Sequence, residues 1–128
     1  MSRLLHRIGV PLLGILLVCV LTGCQNAELK ERLLGRWEKT SGQMRRGGSM
    51  RPFKPGEVII EYKEDGRLIA TWDNQPHYYD WWVFDHETVK KRDESGLERM
   101  FTYSFDEDEA LSIVEIGSGM RSRYRRLE

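Results

Sequence analysis

The chain has 128 residues, 40% hydrophobic and 31% charged, which is the composition of one globular domain rather than of a disordered segment. Twenty basic residues balance twenty acidic ones, so the chain lacks the basic excess that nucleic-acid binding requires.

The first 24 residues, MSRLLHRIGVPLLGILLVCVLTGC, carry Arg3 and Arg7 ahead of an apolar run from Ile8 to Leu21. That run is shorter than the ~20 residues a spanning helix needs, and Pro11 and Gly14 interrupt it. A basic start, a short apolar stretch and a small-residue end describe a secretory signal peptide over residues 1–23. Leu21-Thr22-Gly23-Cys24 resembles the bacterial lipoprotein lipobox, an aliphatic residue and two small ones before a cysteine. The resemblance implies cleavage between Gly23 and Cys24, with a diacylglycerol, and palmitate, carried on Cys24. It also implies an extracytoplasmic chain anchored in the cell membrane. Gln25, where an Asp would retain the protein in the inner membrane, implies the periplasmic face of an outer membrane in a cell that has one. Cys19 leaves with the signal and Cys24 is lipidated, so no cysteine is left for a disulfide. Loss of Arg3 and Arg7 leaves 18 basic against 20 acidic residues, which gives no steering toward an anionic surface.

Residues 24–34 read as a lipidated N-terminus and a tether. Within it Leu29, Leu33 and Leu34 stand at helical spacing in AELKERLL, up to Gly35. From 35 to 128 short alternating runs are separated by turn residues, the pattern of an all-β sandwich or barrel. Strands are predicted near 36–41, 57–62, 67–72, 78–84, 88–92, 98–105, 111–116 and 120–127. Between the first two, SGQMRRGGSMRPFKPG reads as one long loop. In VIIEYKEDGRLIATW, a two-residue Asp65-Gly66 turn would set Tyr62 opposite Ile69 and mix polar with apolar groups on both faces. A three-residue Glu64-Asp65-Gly66 loop sets Tyr62 opposite Leu68, Ile60 opposite Ala70 and Val58 opposite Trp72. A one-residue slip exchanges the faces, so segregation selects the second register. It also places Gly66 at the left-handed position of a bulged turn.

In HYYDWWVF, alternation sends Tyr79, Trp81 and Val83 inward and leaves Tyr78, Trp82 and Phe84 outside. Cover of the outer set by Leu29 and Leu33 of the helix is the expectation, with an exposed patch as the alternative. Further along, Phe101, Tyr103, Phe105, Leu111 and Ile113 continue the inward set. Eight antiparallel strands with one apolar face each close into a small up-and-down barrel, which removes exposed edges.

Leu33-Leu34-Gly35-Arg36-Trp37, then Tyr62-Lys63-Glu64-Asp65-Gly66, then Tyr124-Arg125-Arg126 resemble motifs of the compact lipocalin-like domains of uncharacterised bacterial lipoproteins. The resemblance implies an eight-stranded lipocalin-like barrel in which Trp37 lies beneath an arginine of the last strand, Arg125 or Arg126. Gly35, Trp37, Gly66 and Arg125 are thus candidate structural residues. It further implies a small hydrophobic or amphiphilic ligand in the barrel. Tyr62, Trp72, Trp81 and Tyr103 are the candidate lining residues, and Arg45, Arg46 and Arg51 the cations at the mouth. A short barrel can equally be filled by its own side chains, and the chain would then serve as an envelope protein-interaction or structural module.

No catalytic constellation, metal set or cofactor motif is expected. Asp85-His86-Glu87, near His77 and Asp80, falls where a hairpin turn belongs. Asp106-Glu107-Asp108-Glu109 lacks the glycine and spacing of a calcium loop, and Gly117-Ser118-Gly119 lacks the frame of a nucleophile elbow. The lipobox generates the first testable expectation. Cys24→Ala abolishes metabolic labelling by a palmitate analogue, and unchanged labelling of that variant overturns the assignment.

Overall fold

The computed structural model describes residues 23–127. The expected signal segment lies outside the described residues except for Gly23. Residues 23–33 form one helix, α1, and Gly35 ends the run at a φ of 113°. The helix begins earlier than the leucine spacing alone indicated. Among the described residues no helix is long and apolar enough to cross a membrane.

Nine strands follow: β1 (Gly35–Gln43), β2 (Met50–Pro52), β3 (Val58–Tyr62), β4 (Arg67–Trp72), β5 (Gln75–Asp85), β6 (Thr88–Asp93), β7 (Glu98–Phe105), β8 (Leu111–Glu115) and β9 (Arg121–Leu127). Each strand from β3 to β9 is antiparallel to the next, and β1 pairs with β3 on one side and β9 on the other. The result is a closed eight-stranded barrel. The additional strand, β2, pairs with Ser41–Gln43 beyond the end of β3. It lies in the stretch expected to be one loop. Phe53 explains the difference: its N–H donates to the Thr40 carbonyl at 2.9 Å, and its ring lies under the Lys39 and Arg51 cations.

The β3–β4 register pairs Tyr62 with Leu68, Ile60 with Ala70 and Val58 with Trp72, as face segregation requires. Gly66 has a φ of 88°, and its N–H closes the turn on the Lys63 carbonyl at 3.2 Å. The same turn frame recurs between β6 and β7, where Gly96 has a φ of 90°, and between β7 and β8, where Glu109 takes the left-handed position at 62°. In the latter two, an aspartate at the turn's start, Asp93 or Asp106, accepts backbone N–H groups across the loop.

Loops β3–β4, β5–β6 and β7–β8 lie at one end of the barrel, the base, together with the start of β1 and the end of β9. Here α1 acts as a plug: Leu29 and Leu33 belong to the core with Trp37, Leu111 and Tyr62. The Trp37 indole N–H donates to the Leu33 carbonyl at 2.9 Å. Arg126 stacks on Trp37 at 4.3 Å and donates to the carbonyls of Leu34, at 2.8 Å, and Arg32. A guanidinium thus satisfies carbonyls that the helix end leaves without partners. Of the two candidate arginines it is Arg126, not Arg125, that covers Trp37. Arg125 stands on the opposite face of β9 and pairs with the buried carboxylate of Glu38, because side chains alternate along the strand.

Because α1 is used at the base, it does not cover the outside of β5, contrary to expectation. Tyr78 and Phe84 stay about half exposed, at 50% and 54%. Lys90 lies over the Phe84 ring and Arg92 over Trp82, so long side chains of β6 supply partial cover. Trp81 is enclosed: it meets Tyr62 edge-on at 5.1 Å and its indole N–H donates to the Lys63 carbonyl at 3.1 Å. Trp81→Ala therefore costs about 3–5 kcal/mol, the range for truncating a core aromatic, and Trp82→Ala clearly less. Denaturant melts of the two variants measure the contrast, and equal losses contradict the single-barrel packing.

Candidate functional site

The barrel interior is packed in its lower part and hollow in its upper part. Its packed floor is aromatic. Tyr62 and Tyr103 share a hydrogen bond between their hydroxyls, Trp81 abuts Tyr62, and Leu68 and Val89 are fully enclosed beside them. Above this floor lies a cavity of about 600 Å³ that opens at the mouth, the end formed by turns β4–β5, β6–β7 and β8–β9 and the chain between β1 and β3. Its apolar wall includes Val58, Ile60, Ala70, Trp72, Phe101 and Ile113. These are inward positions on β3, β4, β7 and β8, brought to one level by the stagger of the strands.

Of the four residues expected to line a ligand, Trp72 alone lines the cavity. Tyr62, Trp81 and Tyr103 face inward but lie lower and fill the floor, because the Tyr62–Tyr103 hydrogen bond and the Trp81 edge contact consume that space. Tyr103 also borders a smaller hollow of about 300 Å³ under α1, with Leu29, Arg32, His86 and Phe105. Among the expected mouth cations, Arg51 lines the cavity, whereas Arg45 and Arg46 are exposed on the 44–49 loop and do not. Arg51 is engaged by Glu57, whose carboxyl is held below its usual range by the bond to Arg51 and by the Lys54 N–H.

The charged groups inside the cavity were not legible as a site. Lys91, inward on β6 between Val89 and Asp93, sits at the floor with its ammonium 4.5 Å from the Phe101 ring centre and 5.4 and 5.6 Å from those of Tyr103 and Tyr62. Among the described residues it forms no salt bridge, and it lines the cavity. Burial, and then the Lys39 charge, pull its pKa down to about 7 against an opposing pull from Glu115. Lys39, inward on β1, also lacks a salt-bridge partner among the described residues, and burial followed by Arg51 lowers its pKa. Its ammonium lies 4.6 Å from the Phe53 ring centre. Gly42 gives this stem its path, since a Cβ there would stand 2.5 Å from Lys39 Cε.

Three of the four carboxylates lining the cavity are engaged at close range, and the fourth, Asp73, is exposed in the β4–β5 turn at the mouth. Glu57 holds Arg51, Glu115 meets Arg99 at 3.5 Å, and Asp93 accepts the Ser95 and Leu97 N–H groups of its turn. Two ammonium groups therefore share one pocket, and among the described residues neither has a salt-bridge partner.

The polar cluster His77, Asp80, Asp85, His86 and Glu87 is dispersed by the fold. The His77 ring stacks on Trp72 at 3.5 Å, Asp80 turns outward to Arg92 at 2.9 Å, and Asp85 accepts the Glu87 N–H within its turn. Asp106 binds Arg123, and Glu109 holds Arg32 of α1 at 3.0 Å. Among the described residues no three His, Cys, Asp or Glu side chains converge as metal ligands. Cys24 is exposed on α1.

No protein-family model matches this sequence, and no curated protein matches it at significant similarity.

Lys91 makes stability depend on pH with a definite sign. Its folded pKa of about 7 lies below the ~10.4 of an unfolded lysine, so between these values the unfolded chain holds the extra proton. Stability therefore rises with pH through that window, and Lys39 acts in the same direction. The protein free of ligand is expected to be more stable at pH 9 than at pH 6 by about 3 kcal/mol from this lysine. Lys91→Met raises stability at pH 6 and flattens the slope, as denaturant melts at the two pH values will register. A slope unchanged in the variant contradicts the assignment.

Proposed function

We propose that this chain is a lipid-anchored, extracytoplasmic binding module that holds a small amphiphile in the mouth half of its barrel. The observation that carries the reading is the cavity of about 600 Å³ above a packed aromatic floor. Such a volume falls within the ~300–1,000 Å³ typical of small-molecule sites, and a wall of apolar and aromatic groups with a few polar ones is their usual chemistry. A barrel built only for its own stability gains nothing from enclosing two unpaired lysines, whose desolvation opposes folding. The lipobox at Leu21–Cys24 supplies the anchoring part of the proposal, and the lipocalin-like motifs around Trp37, Gly66 and Arg126 agree with a ligand-holding barrel.

A second reading, an interaction module, has one observation in its favour: the half-exposed Tyr78 and Phe84 with Trp82 on the outer face of β5. Native mass spectrometry of residues 25–128, exported behind a signal peptide without a lipobox and purified from the periplasm of its own cell, separates the two. A small molecule retained at one per chain is expected, and Ala70→Trp, which fills the cavity, is expected to expel it. An empty domain that instead retains a protein through Tyr78 and Phe84 overturns the binding-module reading.

A further inference from the structure

Resting on the binding-module reading, we infer that the cavity takes an amphiphile with a single anionic head, a carboxylate, seated head-inward against Lys91 and Lys39. The inference begins with the arrangement of charge. Glu57 and Glu115 each answer an arginine, Asp93 is held by its own turn, and Arg51 and Arg99 have partners. Asp73 and Arg121, which form no salt bridge among the described residues, are exposed at the mouth, whereas the two lysines, also without one, face into the hollow.

Placement of the two groups sets the orientation of the ligand. Lys91 is at the bottom, with aromatic rings of Phe101, Tyr62 and Tyr103 around its ammonium. Ring faces stabilise a cation without neutralising it, so they hold the group ready for an anion rather than replace one. One of the Tyr62 and Tyr103 hydroxyls donates to the other, so at most one phenolic O–H is left beside the ammonium, which is the charged donor at the floor. Lys39, on β1, adds a second positive charge near enough to be felt at Lys91. One carboxylate placed there relieves the repulsion between the lysines and allows Lys91 to remain protonated. The aliphatic part then runs upward along Ile60, Ala70 and Trp72 toward the mouth. A tail-inward pose would bury a methyl end against the lysine and leave its ammonium without a counter-ion.

The test uses the full chain in lipid nanodiscs, with empty nanodiscs as the control for partitioning. Octanoate, octanol and octylammonium are titrated, and tryptophan fluorescence and the acetylation rate of each lysine, mapped by mass spectrometry, are followed. Octanoate is expected to bind at least tenfold more tightly than octanol, octylammonium not at all, and octanoate alone to slow acetylation of Lys91. Lys91→Met is expected to lower octanoate to the level of octanol, and Lys91→Arg to keep most of the preference. Equal affinity for octanoate and octanol overturns the anionic head and leaves the binding module standing. Binding of none of the three overturns both. A preference that survives in Lys91→Met, or octanoate binding without protection of Lys91, overturns the head-inward placement. The protection readout on the unaltered chain decides the matter even if the variant does not fold.

Discussion

The structure depends on the way one helix end is finished. An α-helix that stops against a barrel leaves its last carbonyls without helical partners, and those next to the barrel wall need a donor from it. Here Trp37 and Arg126, from the first and last barrel strands, supply them together, and they stack on each other while doing so. The same contact closes the sheet, since β1 and β9 pair at this point, and seats Leu29 and Leu33 in the core. Closure, plugging and helix capping therefore rest on one shared set of contacts. Arg32 reinforces it from the helix side by lying on Phe105 and reaching Glu109.

With the base sealed in this way, the aromatic floor can be dense and the upper half can be left hollow. Tyr62, Trp81 and Tyr103 satisfy their polar atoms within the floor or against backbone, so none needs a partner from above. The hollow is then defined by what cannot pack: two lysines whose stems are welcome in a core and whose ammonium groups are not. Covering this region with apolar side chains would have given a more stable domain. The price in stability is what makes the cavity informative about function.

Much of the fold was legible in the sequence because period-two alternation is strict where one face is buried. The β3–β4 register followed from keeping Glu61 and Thr71 off the face of Ile60 and Ala70. Gly66 followed from the same register, whereas Trp37 was marked by the resemblance of its Leu33–Trp37 motif and not by alternation. Height along the barrel axis was not, since alternation states which face a residue occupies and says nothing of its level, which comes from the stagger of eight strands. Hence Tyr62, Trp81 and Tyr103 were rightly inward and too low to line the hollow. Neighbouring identical residues defeated the method elsewhere: Lys90 and Lys91 carry no contrast, nor do Arg125 and Arg126, and only the pairing of Val89 with Val83 and of Arg126 with Trp37 assigns their faces. The short β2 has no alternation to detect and owes its place to Phe53.

The plug and the opening occupy opposite poles, and this gives the molecule a direction. From Cys24 to Leu33 the helix rises about 14 Å at ~1.5 Å per residue, so the proposed anchor leaves from the sealed pole. Under the proposed anchoring, the open pole looks away from the bilayer. A ligand of the proposed binding module would then not slide in from the lipid beneath. It would enter from the aqueous side or from a facing surface.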